Sequence, residues 1–246
     1  LTVSRDRLKN LNLDQGRLKD KVQGHTLTVE LDVSDDITLR SLTGYRKWNN
    51  TVAKTDLDGN DNLLGLTVSP AILAPPNTFQ PLGIQEIELF AAANVRSQKQ
   101  FSQELNLLGK IGDNIEFVLG AFYFKEKARE NNPQQITLGG GLSTDYFGVE
   151  LSPQLIYRHT SESKAVFGQV TFRATDKLSF TGGLRYTEDR KHLDQGAAIV
   201  RDLEEKFSQL NWAASVDYKF TNDILAYARV ATGYKSGGFN PRSVGG

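Results

Sequence analysis

The sequence predicts an all-β fold of about eight antiparallel strands. Apolar and polar residues alternate with a period of two in several runs, short polar turns join the runs into pairs, and much longer connections separate the pairs. A period of two is typical of strands, because successive side chains point to opposite faces. Short turns rich in Asp, Asn and Gly are typical of β-hairpins.

The elements follow in chain order as four hairpins. The predicted strand pairs are 22–33 with 37–48, 101–109 with 115–128, 164–174 with 178–190, and 207–220 with 224–235. The alternation is clear after the third turn, where Leu178, Phe180 and Leu184 share one face and Arg185 lies on the other. The long connections cover roughly 49–100, 129–163 and 191–206. We predict a short helix over 85–95 within the first connection and loop surface at 157–159 within the second.

Two architectures are compatible with this pattern. Outer-membrane barrels combine short turns at one end, long loops at the other and strands of about 9–11 residues. A soluble β-sandwich or barrel would instead use the apolar face as a core. The apolar faces here mix Ala, Gly, Leu and aromatic residues, and the aromatic residues near strand ends favour an interfacial girdle. The predicted girdle residues are Trp48, Tyr123, Tyr186, Trp212, Tyr218 and Tyr234.

Composition limits the function classes. The chain has 246 residues, with 29 basic and 29 acidic side chains, so no nucleic-acid partner is expected. It has no cysteine, which excludes disulfides and thiolate chemistry within this sequence. It starts at Leu1 without a charged and apolar leader, and we expect it to be a piece of a longer protein.

No motif in the sequence predicts an enzyme, a cofactor or a metal site. A nucleophile elbow, a P-loop and a dinucleotide fingerprint are all missing from the sequence. The acidic stretch 56–62 departs from the EF-hand pattern, and we interpret it as a loop turn. His25, His159 and His192 lack metal-ligand spacing.

The polar faces of the predicted strands carry many charges. Since a charge facing lipid at mid-depth costs about 2–4 kcal/mol, these side chains should face a barrel lumen. They could contact a solute or a plug, or they could pair with one another and keep the wall hydrated. The residues are Glu30, Asp32, Arg40, Arg46, Glu104, Glu116, Arg173, Arg185, Asp217, Lys219 and Arg229.

The stretch ATGYKSGGFNPRSV at 231–244 ends the last strand. Gly237 and Gly238 are expected to adopt backbone geometry that other residues avoid, where the strand bends into a loop. Tyr234 and Phe239 should fix the bend at the rim, and Lys235 and Arg242 should place positive charge at the mouth. A plain strand-end turn and a ligand contact both remain open.

Three stretches resemble one family. Residues 227–243 (YARVATGYKSGGFNPRS) are similar to a signature in the barrels of TonB-dependent outer-membrane receptors. Residues 101–127, with FSQEL and GAFYF, and residues 164–191, with FGQV and GGLRYTED, resemble the same family and occur in the expected order. Together they are most similar to the receptors of sphingomonad-like bacteria.

The resemblance implies a twenty-two-stranded barrel with an internal plug. Residues 1–246 would form part of that one barrel domain, with the plug and the barrel closure outside this chain. The implied function is uptake of a ferric siderophore, cobalamin or an oligosaccharide across the outer membrane of a Gram-negative bacterium. The implied partners are outer-membrane lipid, the solute, and a TonB–ExbB–ExbD complex acting through the plug on a monomeric receptor.

Two other functions remain as alternatives, a small structural or adhesive outer-membrane barrel and a soluble β-sandwich binding module. If the resemblance holds, nine residues are predicted to line the solute path. They are Glu104, Glu116, Arg173, Arg185, Arg229, Tyr234, Lys235, Phe239 and Arg242.

Overall fold

The computed structural model describes residues 17–56, 64–70, 79–86, 90–140, 147–151, 154–197 and 200–240. Within these ranges the chain forms eleven strands of one sheet. The strands are β1 Leu18–Ser34, β2 Ile37–Asp56, β3 Leu64–Pro70, β4 Phe79–Glu86, β5 Phe90–Ile111, β6 Ile115–Gly140, β7 Phe147–Leu151, β8 Gln154–Arg173, β9 Leu178–Ala197, β10 Arg201–Lys219 and β11 Leu225–Ala231.

Eight strands form the continuous antiparallel sheet that the alternation predicts. Their order is β1-β2-β5-β6-β8-β9-β10-β11, while β3, β4 and β7 form a side group that pairs with β6 through β7. In the described part of the chain β1 pairs only with β2 and β11 only with β10, so the sheet is open. All described strands belong to this sheet, and no described strand supplies the second layer of a β-sandwich.

The four predicted hairpins are confirmed, but their strands are longer than predicted. Much of the predicted loop sequence continues the ladders, as in β6, which reaches Gly140, and β9, which reaches Ala197. The last strand is shorter and ends at Ala231 rather than at 235. In each lengthened ladder the backbone N–H and C=O groups pair with a neighbouring strand, whereas in a loop they would be left to solvent.

The helix predicted over 85–95 is wrong for the residues described there. Glu86 ends β4 and Phe90 begins β5. The backbone of Val95 lies between Thr51 of β2 and Asn131 of β6 in the ladder. Pairing with a strand on each side outweighs the weak local helix preference of an alanine-rich run. Within the described ranges there is no helix of the length and apolarity needed to cross a membrane.

The turns lie at one end of the long strands. The turn between β5 and β6 contains Gly112 with φ of 58°, a left-handed conformation that glycine adopts without steric cost. Short turns also join β1 to β2 and β8 to β9. The opposite strand ends, which we call the long-loop end, carry the longer connections, except between β9, which ends at Ala197, and β10, which begins at Arg201.

The register divides the sheet into two faces. One row across β5, β6, β8, β9 and β10 consists of Leu107, Leu119, Gly168, Leu184 and Trp212. We call this side the apolar face and the other side the polar face. Leu119, Val166 and Leu184 are 50%, 60% and 59% exposed, so the described chain leaves the apolar face uncovered.

The aromatic side chains divide between the two faces. The register places Tyr123, Tyr186, Trp212 and Tyr218 on the apolar face, in agreement with a girdle. Trp48 lies on the polar face, where its indole N–H donates to Asp20 Oδ1 at 3.0 Å, and Tyr234 lies beyond β11. The girdle prediction is therefore wrong for these last two residues.

Candidate functional site

The charged residues predicted to face inward share the polar face. The register places all eleven on that side, and several pair with neighbouring strands. The Arg173 guanidinium lies 2.7 Å from Glu116, and Arg40 lies 2.5 Å from Glu30. The Asn106 amide donates to Glu104 at 2.8 Å. Much of the wall therefore satisfies its own charges near the turn end.

Arg185 lies against two aromatic rings on the polar face. Its guanidinium carbon is 5.4 Å from the centroid of Phe122 and 5.1 Å from that of Phe167. Its Nε donates to Thr187 Oγ1 at 3.2 Å. Both ring distances are within the range of cation–π attraction, so Arg185 packs on the wall rather than extending into open space.

The chain after β11 crosses the polar face. We call residues 232–240 the crossing segment. It leaves β11 through Thr232. The backbone N–H of Thr232 donates to the carbonyl oxygen of Trp212, and the backbone N–H of Trp212 donates to Thr232 Oγ1, each at 2.9 Å. Further along, the Lys191 ammonium of β9 donates to the carbonyl oxygen of Gly237 at 2.6 Å. The expectation of a bend held at the rim is wrong, because the segment continues over the sheet.

The structure explains the two adjacent glycines by the room that a missing side chain leaves, and not by an unusual backbone conformation. Among the described glycines only Gly112 has a positive φ, so the unusual geometry predicted for Gly237 and Gly238 is not observed. A Cβ on Gly237 would lie 2.7 Å from two ring carbons of Phe207. Gly237 therefore permits close approach of the crossing segment to β10. At Gly238 the nearest neighbour of such a Cβ is Lys191 Nζ at 3.8 Å, an ordinary contact.

The crossing segment covers a cavity of about 310 Å³ near the long-loop end. Phe239 lines one side, and five strands supply the other walls. Aromatic, basic and acidic side chains lie together there, which suits an organic ligand with both flat and charged parts. The principal wall residues are Trp48, Arg96, Glu130, Tyr157, His159 and Leu193.

Glu130 is the best-connected charge of the cavity. Asn94 Nδ2 donates to its carboxylate at 2.7 Å, and Arg96 Nε lies 3.2 Å away. Burial by itself raises the pKa of this carboxyl, but hydrogen bonds from Asn94 and Tyr157 and the charge of Arg96 outweigh burial and lower the pKa. The Glu130 side chain is thus an anion that holds part of the cavity wall.

His159 and Tyr234 are uncharged at neutral pH. Burial lowers the pKa of the His159 imidazole, although Glu126 opposes this effect. Burial and the nearby Asp189 carboxylate raise the pKa of Tyr234 to about 12. No partner within the described part of the chain meets hydrogen-bond geometry at the Tyr234 hydroxyl.

The nine residues predicted for the solute path do not form one site. Glu104, Glu116, Arg173, Arg185 and Arg229 are distributed along the polar face from the turn end upward. Of the C-terminal group, Phe239 lines the cavity, Tyr234 is half-buried beside Asp189, and Lys235 is exposed. Arg242 lies outside the described residues.

Sequence reasoning missed most of the cavity. Residues 157–159, predicted as loop surface, belong to β8, and Tyr157 is buried. The missed signal was the period of two, which continues through Tyr157, His159 and Ser161 on one face. In the described ranges no group of His, Asp or Glu could hold a metal ion, and 57–62 of the acidic stretch lies outside those ranges.

An open antiparallel sheet with one exposed apolar face and one polar face defines a wall section of a β-barrel. A family model described as "TonB dependent receptor-like, beta-barrel" matches residues 2–246. The chain belongs to this family. Barrels of the family are outer-membrane proteins of Gram-negative bacteria.

Curated relatives and solved structures agree with this assignment. The pesticin receptor of Yersinia pestis is 28% identical over 86 residues, which cover 33% of this chain and 13% of that protein. The ferric yersiniabactin uptake receptor FyuA from Yersinia pestis aligns with TM-score 0.67 and 16% identity over 96% of this chain and 31% of its own. The ferric citrate transporter FecA aligns with TM-score 0.61 and 15% identity, covering 89% of this chain and 28% of its own. The structural likeness shows the fold, and the chain spans about a third of the two solved structures and its match covers 13% of the pesticin receptor.

Proposed function

We propose that this chain is a section of the barrel wall of an outer-membrane receptor that takes up a scarce solute. The apolar face meets lipid, and the polar face lines the passage. A plug outside this chain, coupled to a TonB–ExbB–ExbD complex, would complete the transport machinery. The chain acts here as a binding and guiding wall, without an enzymatic step.

The height of the apolar face supports a membrane position. On β5 the apolar face runs from Ile111 beside the turn to Phe101, ten residues away. Ten residues span about 33 Å along a strand, and a tilt of about 40° reduces this to about 25 Å of height. An apolar band of about 25 Å is the height that outer-membrane barrels present to lipid.

The observation that carries the uptake proposal is the cavity beneath the crossing segment. It lies on the polar face beyond the apolar band, where an entering solute would meet the wall. Trp48 and Phe239 offer flat apolar surfaces, and Arg96 adds a guanidinium that pairs with Glu130 at 3.2 Å. Chelates with aromatic or heterocyclic parts and polar groups complement such a wall.

A ferric siderophore is the solute class best supported. Two of the structural neighbours bear names that describe ferric uptake, as does the ferric-catecholate import receptor Fiu, which aligns with TM-score 0.55. Cobalamin and oligosaccharides remain the alternative solutes. A small structural barrel would need no crossing segment over its inner wall.

Uptake by the complete receptor tests the proposal. A strain lacking the receptor gene is supplied with wild-type or Trp48→Ala/Phe239→Ala receptor and with iron-55 bound to a panel of siderophores. We expect one siderophore to be taken up by the wild type and about tenfold less efficiently by the double variant. The matched control Tyr218→Ala changes an aromatic residue of the apolar face and should retain uptake. If the receptor gene makes no difference to iron uptake from any siderophore of the panel, a siderophore function is refuted.

A further inference from the structure

Three lysines lie side by side on the apolar face just beyond the aromatic residues. Lys47 is the cross-strand partner of Lys99, and Lys99 is the partner of Lys127. We call Lys47, Lys99 and Lys127 the lysine row. Like charges directly opposite each other on a sheet are destabilising, so a bare row is an unfavourable arrangement.

The positions beside the row and those toward the long-loop end supply no counter-charge, and the nearest carboxylate toward the turn end, that of Glu162, is paired with Lys125 and Lys164. The row is flanked by Gln23 on β1 and Thr160 on β8. The next positions toward the long-loop end are Asn49, Ser97 and Arg129. Among the described residues none of the three lysines has an ion pair, and Lys99 and Lys127 are exposed.

The other half of the same face is built differently. Lys125 pairs with Glu162 at 3.1 Å, Arg158 with Asp194 at 2.9 Å, and Arg190 with Glu204 at 2.6 Å. These cations, on β6, β8 and β9, are therefore neutralised within the protein, whereas Lys47 of β2, Lys99 of β5 and Lys127 of β6 have no ion pair among the described residues. The contrast points to a separate anion that neutralises the row.

The position of the row identifies the kind of anion. Lys99 lies two residues beyond Phe101, which places the row about 5 Å past the edge of the apolar band. Below it on the same face of β5, Phe101 and Leu105 expose 40% and 46% of their surface, with Gln103 between them. A molecule that covers these apolar side chains with acyl chains necessarily holds its headgroup at the height of the lysines.

We propose that the lysine row binds the phosphate-bearing headgroup of an outer-leaflet lipid, with the lipid's acyl chains on the apolar surface below. The inference rests on the proposed membrane position of the sheet, and it is independent of which solute is transported. Each basic residue near an anionic lipid surface contributes about 1 kcal/mol, roughly fivefold in affinity. Three such residues amount to roughly a hundredfold.

The test uses the complete receptor in neutral detergent and native mass spectrometry with diphosphorylated lipid A. The test variant changes Lys47, Lys99 and Lys127 to Gln. The matched control changes Lys125, Arg158 and Arg190 to Gln, so it removes the same charge from paired cations of the same face. We expect affinity to fall about a hundredfold in the test variant and less than about threefold in the control, with phosphatidylcholine bound weakly by all three proteins.

Several outcomes would overturn the proposal. They are equal losses in the two variants, no lipid A bound by the wild type, or displacement of lipid A by millimolar inorganic phosphate, which would indicate a free-anion site. The heat-induced mobility shift of the barrel in gels should be unchanged in the test variant, since removing the row relieves repulsion. Siderophore uptake is measured on the same proteins, and its failure with lipid binding intact would refute the proposed solute while leaving the lipid site.

Discussion

The close approach at Gly237 gives the sharpest prediction for the crossing segment. In Gly237→Ala the new methyl carbon would lie 2.7 Å from two ring carbons of Phe207, whereas ordinary contacts of such atoms begin near 3.4 Å. Either the Phe207 ring or the segment must move by about 0.7 Å or more. Overpacking of this kind typically costs about 1–3 kcal/mol. That cost shifts the balance between docked and released segment about 5- to 150-fold toward release.

The assay uses a single spin label. The chain contains no cysteine, so Lys235→Cys provides one labelling position on the exposed part of the crossing segment. Electron paramagnetic resonance of the receptor in lipid nanodiscs then separates an immobile from a mobile component. We expect the mobile fraction to rise strongly in Gly237→Ala.

Gly233→Ala is the matched control, because a Cβ at Gly233 meets nothing within 4 Å and the backbone there needs no positive φ. It should leave the spectrum unchanged. Adding Phe207→Ala to Gly237→Ala should restore the immobile component, because the clash partner is then gone. Identical spectra for the two alanine variants would refute the packing of the segment against β10.

Three further predictions concern the wall. Arg185→Met removes attraction to two rings and should lower the free energy of unfolding in urea by about 1–3 kcal/mol. Arg229→Met should change it little, because Arg229 makes no ring contact or ion pair with the described residues. The pKa of Glu130 is lower in the folded protein than its ordinary value of 4.5, so its carboxylate should contribute its full stabilising free energy above pH 4.5 and lose it as the pH falls through the folded pKa. The melting temperatures of wild type and Glu130→Gln should therefore converge in acid. The isolated 246-residue chain should aggregate in detergent-free buffer, and a monomer with two-state unfolding there would contradict the exposed sheet edges.

The sequence predicted the sheet well because the signal is local. Alternation as in Leu178, Phe180 and Leu184 specifies both the strand and its faces, and the short turns fix the hairpin register. Strand length was underestimated because apolar residues thin out past the aromatic positions. Beyond Tyr123, the apolar face of β6 continues as Lys125, Lys127 and Arg129, which resembles loop composition although the ladder continues.

The candidate site was harder to predict because it depends on residues distant in sequence. Trp48 and Tyr157 share a cavity although more than a hundred residues separate them, and only the order of β2, β5, β6 and β8 brings them together. The route of residues 232–240 depends on Lys191 and Phe207, which no local pattern links to the glycines. The motif was identified correctly as special, but the geometric reason given for it was wrong.

The sheet depends on its surroundings for stability. Its ladders pair the backbone, but few large apolar side chains of the described residues are buried, among them Tyr157 and Leu193. Burial of apolar surface is the main favourable contribution to folding, at about 25 cal/mol per Å². A sheet that leaves Leu184, Trp212 and Val166 exposed must gain this contribution from another phase or another molecule. In the proposed membrane position, lipid against the apolar face would supply it, and the proposed headgroup site would place an anion at Lys47, Lys99 and Lys127.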